Sequence, residues 1–293
     1  MKGIILAAGR GTRLYPITQA VCKQLLPVYN KPMVYYPLSM LMLAGITEVL
    51  VITNSEDHAA FTRLLGDGSQ WGLQIRYAEQ PKPNGLAEAF IIGEQFIGDD
   101  SVCLILGDNI FYGTALRTLL KEAAMLENGA LIFAYMVSDP QRYGVVDFDA
   151  DGNVLSIEEK PANPRSNYAI PGIYFYDNQV ISYAKGLHPS GRGEMEITDL
   201  NNIYLKKNDL KVLNLGRGVA WLDAGTHESL LQAAQFIYTV EERQGLLISS
   251  PDEIAFIQGW ITESQLQQNI DVQSPSEYSS KLTQFLRLYG MEK

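Results

Sequence analysis

The sequence predicts an α/β protein: a doubly wound, mostly parallel, Rossmann-like sheet with antiparallel additions and a C-terminal helical appendage. Three observations carry this. Short β-rich runs alternate with helical patterns through the first half of the 293 residues, the rhythm of βαβ units. Two runs, Val102 to Leu106 and Ala130 to Val137, are almost wholly apolar, as strands covered by helices on both faces should be. From Tyr143 the texture changes to closely spaced strands joined by Asp, Gly and Pro turns.

Taken in order, Gly3 to Leu6 opens the sheet, Pro32 to Ala44 is helical, Glu48 to Thr53 is a strand and Asp57 to Leu65 a helix. Gln74 to Ala78 then reads as a strand and Leu86 to Phe96 as a helix. Beyond the two apolar strands, Tyr143 to Phe148, Val154 to Glu159 and Ala169 to Tyr176 are expected to add antiparallel edge strands that cover a site. Thr226 to Gln244, Thr262 to Gln268 and Glu277 to Leu288 are helical by pattern, with irregular segments between them. No internal repeat or low-complexity linker interrupts the chain.

Composition narrows the function classes. Hydrophobic residues make up 46% and charged residues 19%, an ordinary globular balance that leaves no stretch biased towards disorder. Acidic residues outnumber basic ones 33 to 23, a formal charge of -10 that repels a nucleic-acid backbone. Small anions stay possible, because a few placed cations and a metal ion reverse the field locally. Cys22 and Cys103, the two cysteines, have no paired spacing, so a disulfide framework or zinc knuckle is not indicated and a reducing compartment fits. The apolar run Gly3 to Ala8 is broken at once by Arg10 and Arg13, too short for a signal h-region or a span. A soluble, cytoplasmic protein is expected.

Directly after the first strand comes Ala8-Gly9-Arg10-Gly11-Thr12-Arg13-Leu14, where an open α/β sheet binds ligands. Gly9 and Gly11 allow close backbone approach and inward amides, Arg13 can grip phosphate oxygens in bidentate fashion, and Lys23 adds a second cation. A tight glycine turn with surface arginines is the plainer alternative. The dinucleotide fingerprint fails here, since a third glycine and the acidic residue about twenty positions on are both missing. No Gly-Lys-Ser/Thr triplet of a P-loop occurs either.

Asp108 follows the apolar strand Val102 to Leu106 and should emerge at the same sheet edge as this loop. A carboxylate there suits Mg²⁺, which takes one or two carboxylates and completes its shell with water and phosphate oxygens; capping of the next turn is the alternative. Gln80-Pro81-Lys82-Pro83-Asn84-Gly85-Leu86 is a loop stiffened by two prolines. Gln80 offers the donor and acceptor that an imide edge needs, and Gly85 allows a backbone group near the ring; an ordinary proline turn is the competing reading.

Several segments together resemble the sugar-nucleotide pyrophosphorylases: Gly3 to Leu14, Lys23-Gln24-Leu25-Leu26-Pro27 with Lys31-Pro32-Met33, Gly107-Asp108-Asn109, Glu158-Glu159-Lys160-Pro161, and Trp221-Leu222-Asp223-Ala224-Gly225-Thr226. The likeness extends to Gly66-Asp67-Gly68-Ser69-Gln70-Trp71-Gly72 and Glu241-Glu242-Arg243-Gln244-Gly245-Leu246, nearly the whole chain. Each motif is weak alone; five in the family's order are strong.

The resemblance implies an enzyme that joins dTTP to glucose 1-phosphate and releases pyrophosphate, with UTP as the alternative nucleotide. The product would feed dTDP-rhamnose and related deoxysugars of surface polysaccharide. It implies Mg²⁺ held by Asp108 and Asp223, and catalytic roles for Arg13, Lys23, Asp108, Lys160 and Asp223. Leu6, Gly9, Gly11, Thr12, Arg13, Gln80, Gly85 and Asp108 would bind the nucleotide, with Arg13 and Lys23 on the triphosphate. Asn109, Tyr143, Gly144, Glu159, Lys160, Gly172 and Tyr174 would bind the sugar phosphate. Residues 1–225 would form the catalytic core, nucleotide-binding over about 1–137 and sugar-binding over about 138–225, with 226–293 as a helical oligomer or regulatory surface. A homotetramer inhibited by a dTDP-sugar end product at a separate site is the family's habit. Two positions depart from its pattern: Pro171, where a hydroxyl residue is expected, and Ala8, where a third glycine is frequent.

Asp147, Asp149, Asp151, Gly152, Val154 and Glu158 fit an EF-hand loop pattern, yet strand-like residues precede it and Pro161 follows. A hairpin turning at Ala150-Asp151-Gly152-Asn153 is the preferred reading. His58, His188 and His227 form no ligand spacing, and no Ser, His and Asp set has a nucleophile context. A glycosyltransferase is disfavoured by the Arg13 loop and by Asn109-Ile110 after Asp108, which break an Asp-x-Asp. A non-catalytic sugar-nucleotide sensor is disfavoured by retention of all five implied catalytic side chains.

Overall fold

The computed structural model describes residues 1–291, and side chains through residue 289. Strand β1 (Lys2–Ala7) leads through a loop of 3₁₀ turns to the small hairpin β2 (Pro27–Val28) and β3 (Lys31–Pro32), then helix α1 (Tyr35–Leu43). Next come β4 (Glu48–Thr53), α2 (His58–Leu65), β5 (Gln74–Glu79), α3 (Glu88–Ile92), α4 (Glu94–Ile97), β6 (Val102–Leu106), β7 (Asn109–Tyr112), α5 (Leu116–Ala124) and β8 (Ala130–Met136). The second half holds β9 (Gly144–Phe148), β10 (Val154–Glu159), β11 (Tyr168–Ala169), β12 (Ile173–Tyr176), α6 (Gln179–Lys185), α7 (Ile197–Lys206), β13 (Leu210–Asn214) and β14 (Ala220–Asp223). Helices α8 (His227–Gln244), α9 (Pro251–Ile257), α10 (Glu263–Gln273) and α11 (Glu277–Met291) complete the description. No described helix is long and apolar enough to cross a membrane.

The strands form one ten-stranded mixed sheet in the order β10-β9-β11-β8-β12-β6-β1-β4-β5, with β13 beside β8. β6, β1, β4 and β5 run parallel, and Leu6 lies level with both Leu106 and Ile52. Along β1, Ile5 and Ala7 enter one core layer while Ile4 and Leu6 enter the other. This two-sided burial explains the unbroken apolar runs. It also brings the carboxyl ends of β1 and β6 side by side, where an open α/β sheet holds its ligand.

Three expectations need correction. The run 169–176 is two strands, because Pro171 has no N–H for a ladder and the Gly172 N–H turns to Asn109 Oδ1 at 3.0 Å. Its second part, β12, lies inside the sheet, antiparallel between β6 and β8, and is not an edge strand. The helix 86–96 is divided at Gly93, where a Cβ would come within 2.9 Å of Ile4 Cδ1. The tail between 244 and 262 is not irregular throughout, since Ser250 accepts from Glu253 N and caps α9 with Pro251 in its first turn. Helices α5, α6 and α7 and strands β2, β3, β7, β13 and β14 are further elements that the periodicity did not mark. The EF-hand-like segment is the expected hairpin: β9 pairs antiparallel with β10, and Asp149 Oδ1 accepts the N–H groups of Asp151 and Asn153 at 2.9 and 2.8 Å.

The C-terminal helices pack on the same apolar layer as α1, through Ile254, Leu266, Tyr278 and Leu282. Buried within this packing, Glu253 has an Oε1 with no hydrogen-bond partner among the described residues. Burial pushes its carboxyl up to about 8, against the Leu247 N–H and Lys31, with Glu241 and Asp252 adding to the rise. A folded-state value above the unfolded one, roughly 4.3, means the folded state holds the extra proton. Stability is therefore full below about pH 4.5 and is lost as pH rises towards about 8. Urea unfolding is expected to show that decline, and Glu253→Gln to flatten it by up to a few kcal/mol between about pH 5 and pH 8. An identical slope in the variant would assign the decline to other groups.

Candidate active site

Two connected cavities open at the carboxyl ends of β1 and β6. The smaller, about 190 Å³, is walled by Leu6, Ala8, Gly9, Lys23, Gln24, Gln80 and Gly85. The larger, about 420 Å³, is walled by Arg13, Asn109, Tyr143, Gly144, Glu159, Lys160, Gly172, Tyr174 and Asp223 among others. Asp108, Leu86, Leu106 and Glu194 belong to both walls, so Asp108 stands at their junction. Of the residues named from the sequence, only Gly11 and Thr12 lie on neither wall. Gly11 shapes the loop instead: its φ is 61°, and its carbonyl accepts Leu14 N at 2.8 Å and Thr18 Oγ1 at 2.7 Å. Arg13 faces the larger cavity, not the smaller one that holds Lys23.

The junction is an arrangement of charge. Lys23 Nζ donates to Asp108 Oδ2 in a nearly buried ion pair, and Asn109 Nδ2 donates to Asp108 Oδ1 at 3.1 Å. Burial pushes the Asp108 carboxyl up, but Lys23 and Asn109 outweigh it and hold the group below the usual carboxylate range. Asp223 arrives from β14, whose antiparallel pairing with β7 sets it opposite Asn109. Burial, and then the negative charge of Asp108, push the Asp223 carboxyl up, with Lys23, Arg13 and Arg142 opposing. Arg142 Nη2 is 3.6 Å from Asp223 Oδ2. Arg13 packs so tightly here that a Cβ on Gly225 would lie 2.7 Å from its Nη2 and 2.8 Å from Asp223 Oδ1.

Two carboxylates close enough that the charge of Asp108 pushes Asp223 up, with space before them, form a hard-oxygen donor set that fits Mg²⁺. That ion accepts as few as one or two protein carboxylates when substrate phosphates supply further oxygens. No cluster of three or more His, Cys, Asp or Glu ligands occurs among the described residues; a dedicated all-protein cage is not what this ion needs.

In the smaller cavity Gln80 is buried, and its Nε2 donates to Gly85 O at 3.1 Å and Glu88 Oε2 at 2.7 Å. Both donors are thus engaged by the protein, and the amide oxygen is what remains for a ligand. Gly85 has φ 111°, and a Cβ there would sit 2.4 Å from the Met195 backbone, so this close approach requires glycine.

In the larger cavity Glu159 accepts from Thr198 Oγ1 at 2.5 Å and stands 3.6 Å from Arg192 Nη2. Arg192 also donates to Glu196 Oε1 and Oε2 at 3.0 and 2.8 Å. Lys160 is one of four non-glycine residues with positive φ among the described residues, at 44°. Its N–H bonds Tyr143 O at 3.0 Å, and its side chain stays half-exposed with Nζ 3.7 Å from Glu159. Such strained backbone persists where surroundings over-determine it, often in ligand sites. Trp221 packs against Tyr143 with the rings tilted by 57° and their centroids 4.9 Å apart, and its indole N–H donates to Asn109 Oδ1 at 2.6 Å.

The reading from sequence missed Arg142, Arg192, Glu194, Glu196 and Thr198 as wall residues. Arg142 adjoins Tyr143 and could have been found from that. The segment 190–198 carries no motif, and it is brought to the cavity by the packing of α7 on β10 and by the backbone bonds of Met195 to Asn84 and Ala87.

The chain as a whole is similar to known proteins. A family model described as nucleotidyl transferase matches residues 2–240, and the chain belongs to this family. It is 57% identical over 287 residues to a glucose-1-phosphate thymidylyltransferase of Neisseria meningitidis, covering 98% of this chain and 100% of that one. The corresponding enzyme of Mycobacterium tuberculosis is 56% identical over 286 residues, 98% of this chain and 99% of that. Among solved structures, a Bacillus anthracis protein assigned as a glucose-1-phosphate thymidylyltransferase, in complex with sucrose, superposes with a TM-score of 0.75 at 44% identity. That match covers 80% of this chain and 94% of the other. A UDP-glucose pyrophosphorylase bound to UDP-glucose shares the fold, with a TM-score of 0.71 at 23% identity over 81% and 98% of the two chains.

Proposed function

We propose that this protein joins dTTP to α-D-glucose 1-phosphate, forming dTDP-glucose and pyrophosphate. The observation that carries the reading is the pair of cavities meeting at Asp108, one suited to a nucleotide and one to a sugar phosphate. The relatives' activity, at 56–57% identity over almost the whole chain, supports the choice of substrates.

A phosphate oxygen of the sugar phosphate attacks the α-phosphorus in line with departing pyrophosphate, so the P–O bond to the β-phosphate breaks as the new one forms. No covalent enzyme intermediate is needed, and the anomeric carbon is untouched. Such chemistry depends on positioning and charge neutralisation. Gln80 and Gly85 hold the base, the Gln80 oxygen accepting the imide N–H that thymine and uracil share. Gly9 and its neighbours present loop amides to the phosphates. Lys23 sits beside the reacting phosphorus, and Arg13 faces the charge that develops next to Asp223. Lys160 holds the sugar phosphate, with Arg192 across the cavity, while Glu159, kept in place by Thr198, accepts from sugar hydroxyls. Asp108 and Asp223 would hold Mg²⁺, which supplies charge neutralisation on the phosphate oxygens.

We place the division of labour in residues 1–225 as catalytic core, with 226–293 as a helical region for assembly. The exposed Leu231, Tyr238 and Val272 of α8 and α10 support an assembly surface, and a homotetramer controlled by a dTDP-sugar is the form it would take. Two buried free cysteines fit a reducing cytoplasm.

The test is pyrophosphate release by purified protein with Mg²⁺ and glucose 1-phosphate, in parallel with dTTP and UTP. A clear preference for dTTP is expected. Equal or better use of UTP would favour the uridylyl reading, and no release with either nucleotide would remove both.

A further inference from the structure

The most completely buried charges of the molecule lie outside the cavities. Glu241, on α8, is wholly buried and accepts from three separate segments. Its Oε1 takes Lys31 Nζ at 2.7 Å and Ile248 N at 2.9 Å, and its Oε2 takes Asn30 Nδ2 at 2.6 Å and Lys281 Nζ at 3.4 Å. Lys31 is equally enclosed, its side chain 1% exposed, and also reaches Asn30 Oδ1 at 2.9 Å. A pair this dry contributes little net stability compared with an apolar replacement. What its directional bonds do well is fix geometry.

The geometry they fix leads into the active site. Lys31 and Asn30 form the end of the β2–β3 hairpin, where Val28 pairs with Lys31. From that hairpin Met33 N donates to Leu26 O, and Val34 N donates to Gln24 O, both at 2.9 Å. Those two carbonyls belong to the turn that follows Lys23. The turn carries both Lys23, paired with Asp108, and Gln24, a wall of the smaller cavity. At its other end α8 starts four residues after Asp223, capped by Thr226, and His227 Nε2 lies 3.2 Å from Tyr15 O, just past the glycine loop. One helix therefore touches the site at its first turn and holds the Lys23 turn from behind at its last.

We infer that Glu241 is a positioning residue for the nucleotide half of the site, acting through Lys31 and the β2–β3 hairpin on Lys23 and Gln24. The C-terminal region thus takes part in setting the catalytic lysine, in addition to any role in assembly. Glu242 and Glu277 share Lys281 with Glu241 at 3.0 and 3.1 Å on the exposed side and serve as a rim to the same clamp.

The inference rests on the nucleotidyl-transfer reading above, and initial rates with each substrate varied in turn test it. Glu241→Gln is expected to lower kcat/KM for the nucleotide on the order of tenfold or more, since small misplacements far from the chemistry have such effects. KM for glucose 1-phosphate, bound by the other wall, should stay within about twofold of wild type, whereas loss of folded protein would lower kcat alone. Because the single variant leaves the Lys31 charge unpaired, a Lys31→Met/Glu241→Gln double variant removes both charges while the amide oxygen can still accept from Ile248 N, and it is expected to fold. Under the inference it regains the wild-type melting temperature but keeps the nucleotide-specific defect. If the double variant regains nucleotide kcat/KM as well, or if Glu241→Gln changes the two KM values equally, the clamp serves only stability and the inference fails. Wild-type protein that releases no pyrophosphate would instead sink the underlying reading.

Discussion

Asp108→Asn should lower kcat by ~10³-fold or more while the protein stays folded, because it removes the carboxylate at the junction of the two cavities. The amide keeps the shape and still accepts from Lys23, while its NH2 takes the place of the oxygen that accepted from Asn109 Nδ2, so that one contact is lost. What it removes is the negative charge that balances Lys23 and, with Asp223, would hold Mg²⁺. Lys23 then faces Asp223, whose carboxyl is no longer pushed up by a second anion. A stability change of roughly 1 kcal/mol or less is expected from this exchange. Steady-state pyrophosphate release, titrated with Mg²⁺ and accompanied by a melting curve, checks both parts. A variant within tenfold of wild type at saturating Mg²⁺ would exclude Asp108 from the chemistry.

Lys23→Met should be the converse case, with rate and stability both affected. The lysine is nearly buried and is the first-ranked opponent of burial in keeping the Asp108 carboxyl low. Without it Asp108 and Asp223 face each other with Arg13 and Arg142 as the remaining counter-charges, and the rate should fall by ~10²-fold. The sign of the stability effect follows from burial: in the variant the Asp108 carboxyl rises above its unfolded value, so the folded state binds a proton that the unfolded state releases. The variant is then least stable at neutral and higher pH and recovers towards pH 4, with a loss of ~1–3 kcal/mol at pH 7. Urea unfolding at about pH 4.5 and about pH 7.5 measures this. Equal loss at both values would mean that Lys23 stabilises by packing, not by charge.

The elements that local pattern could reveal are those whose burial is two-sided or whose ends are capped. β6 and β8, and the inner residues of β1 and β4, are apolar because both faces of each are covered. The range of α8 was readable to the residue because Thr226 caps it and Gly245, at φ 68°, ends it. By contrast β12 reads as a continuation of β11, since both are apolar; only the missing N–H of Pro171 and the bond from Gly172 to Asn109 separate them. Its place between β6 and β8 is a pairing choice among distant strands, which no local periodicity encodes.

The same division holds for the site. Residue types and their order in the chain determined the chemistry: a glycine loop after the first strand, Lys23, Asp108 after an apolar strand, Lys160 and Asp223. The family followed from that order, and the fold class from the alternation of apolar strands with helical patterns. The tertiary structure decided proximity. Asp108 and Asp223 are 115 positions apart in the numbering and meet because β7 and β14 pair. Arg192 and Thr198 reach Glu159 because α7 packs on β10, and Glu241 reaches Lys31 because α8 folds back over the β2–β3 hairpin. Spacing along a chain fixes neighbours only within a turn or a strand. Contacts between segments are set by which apolar faces cover each other, a property of the whole core.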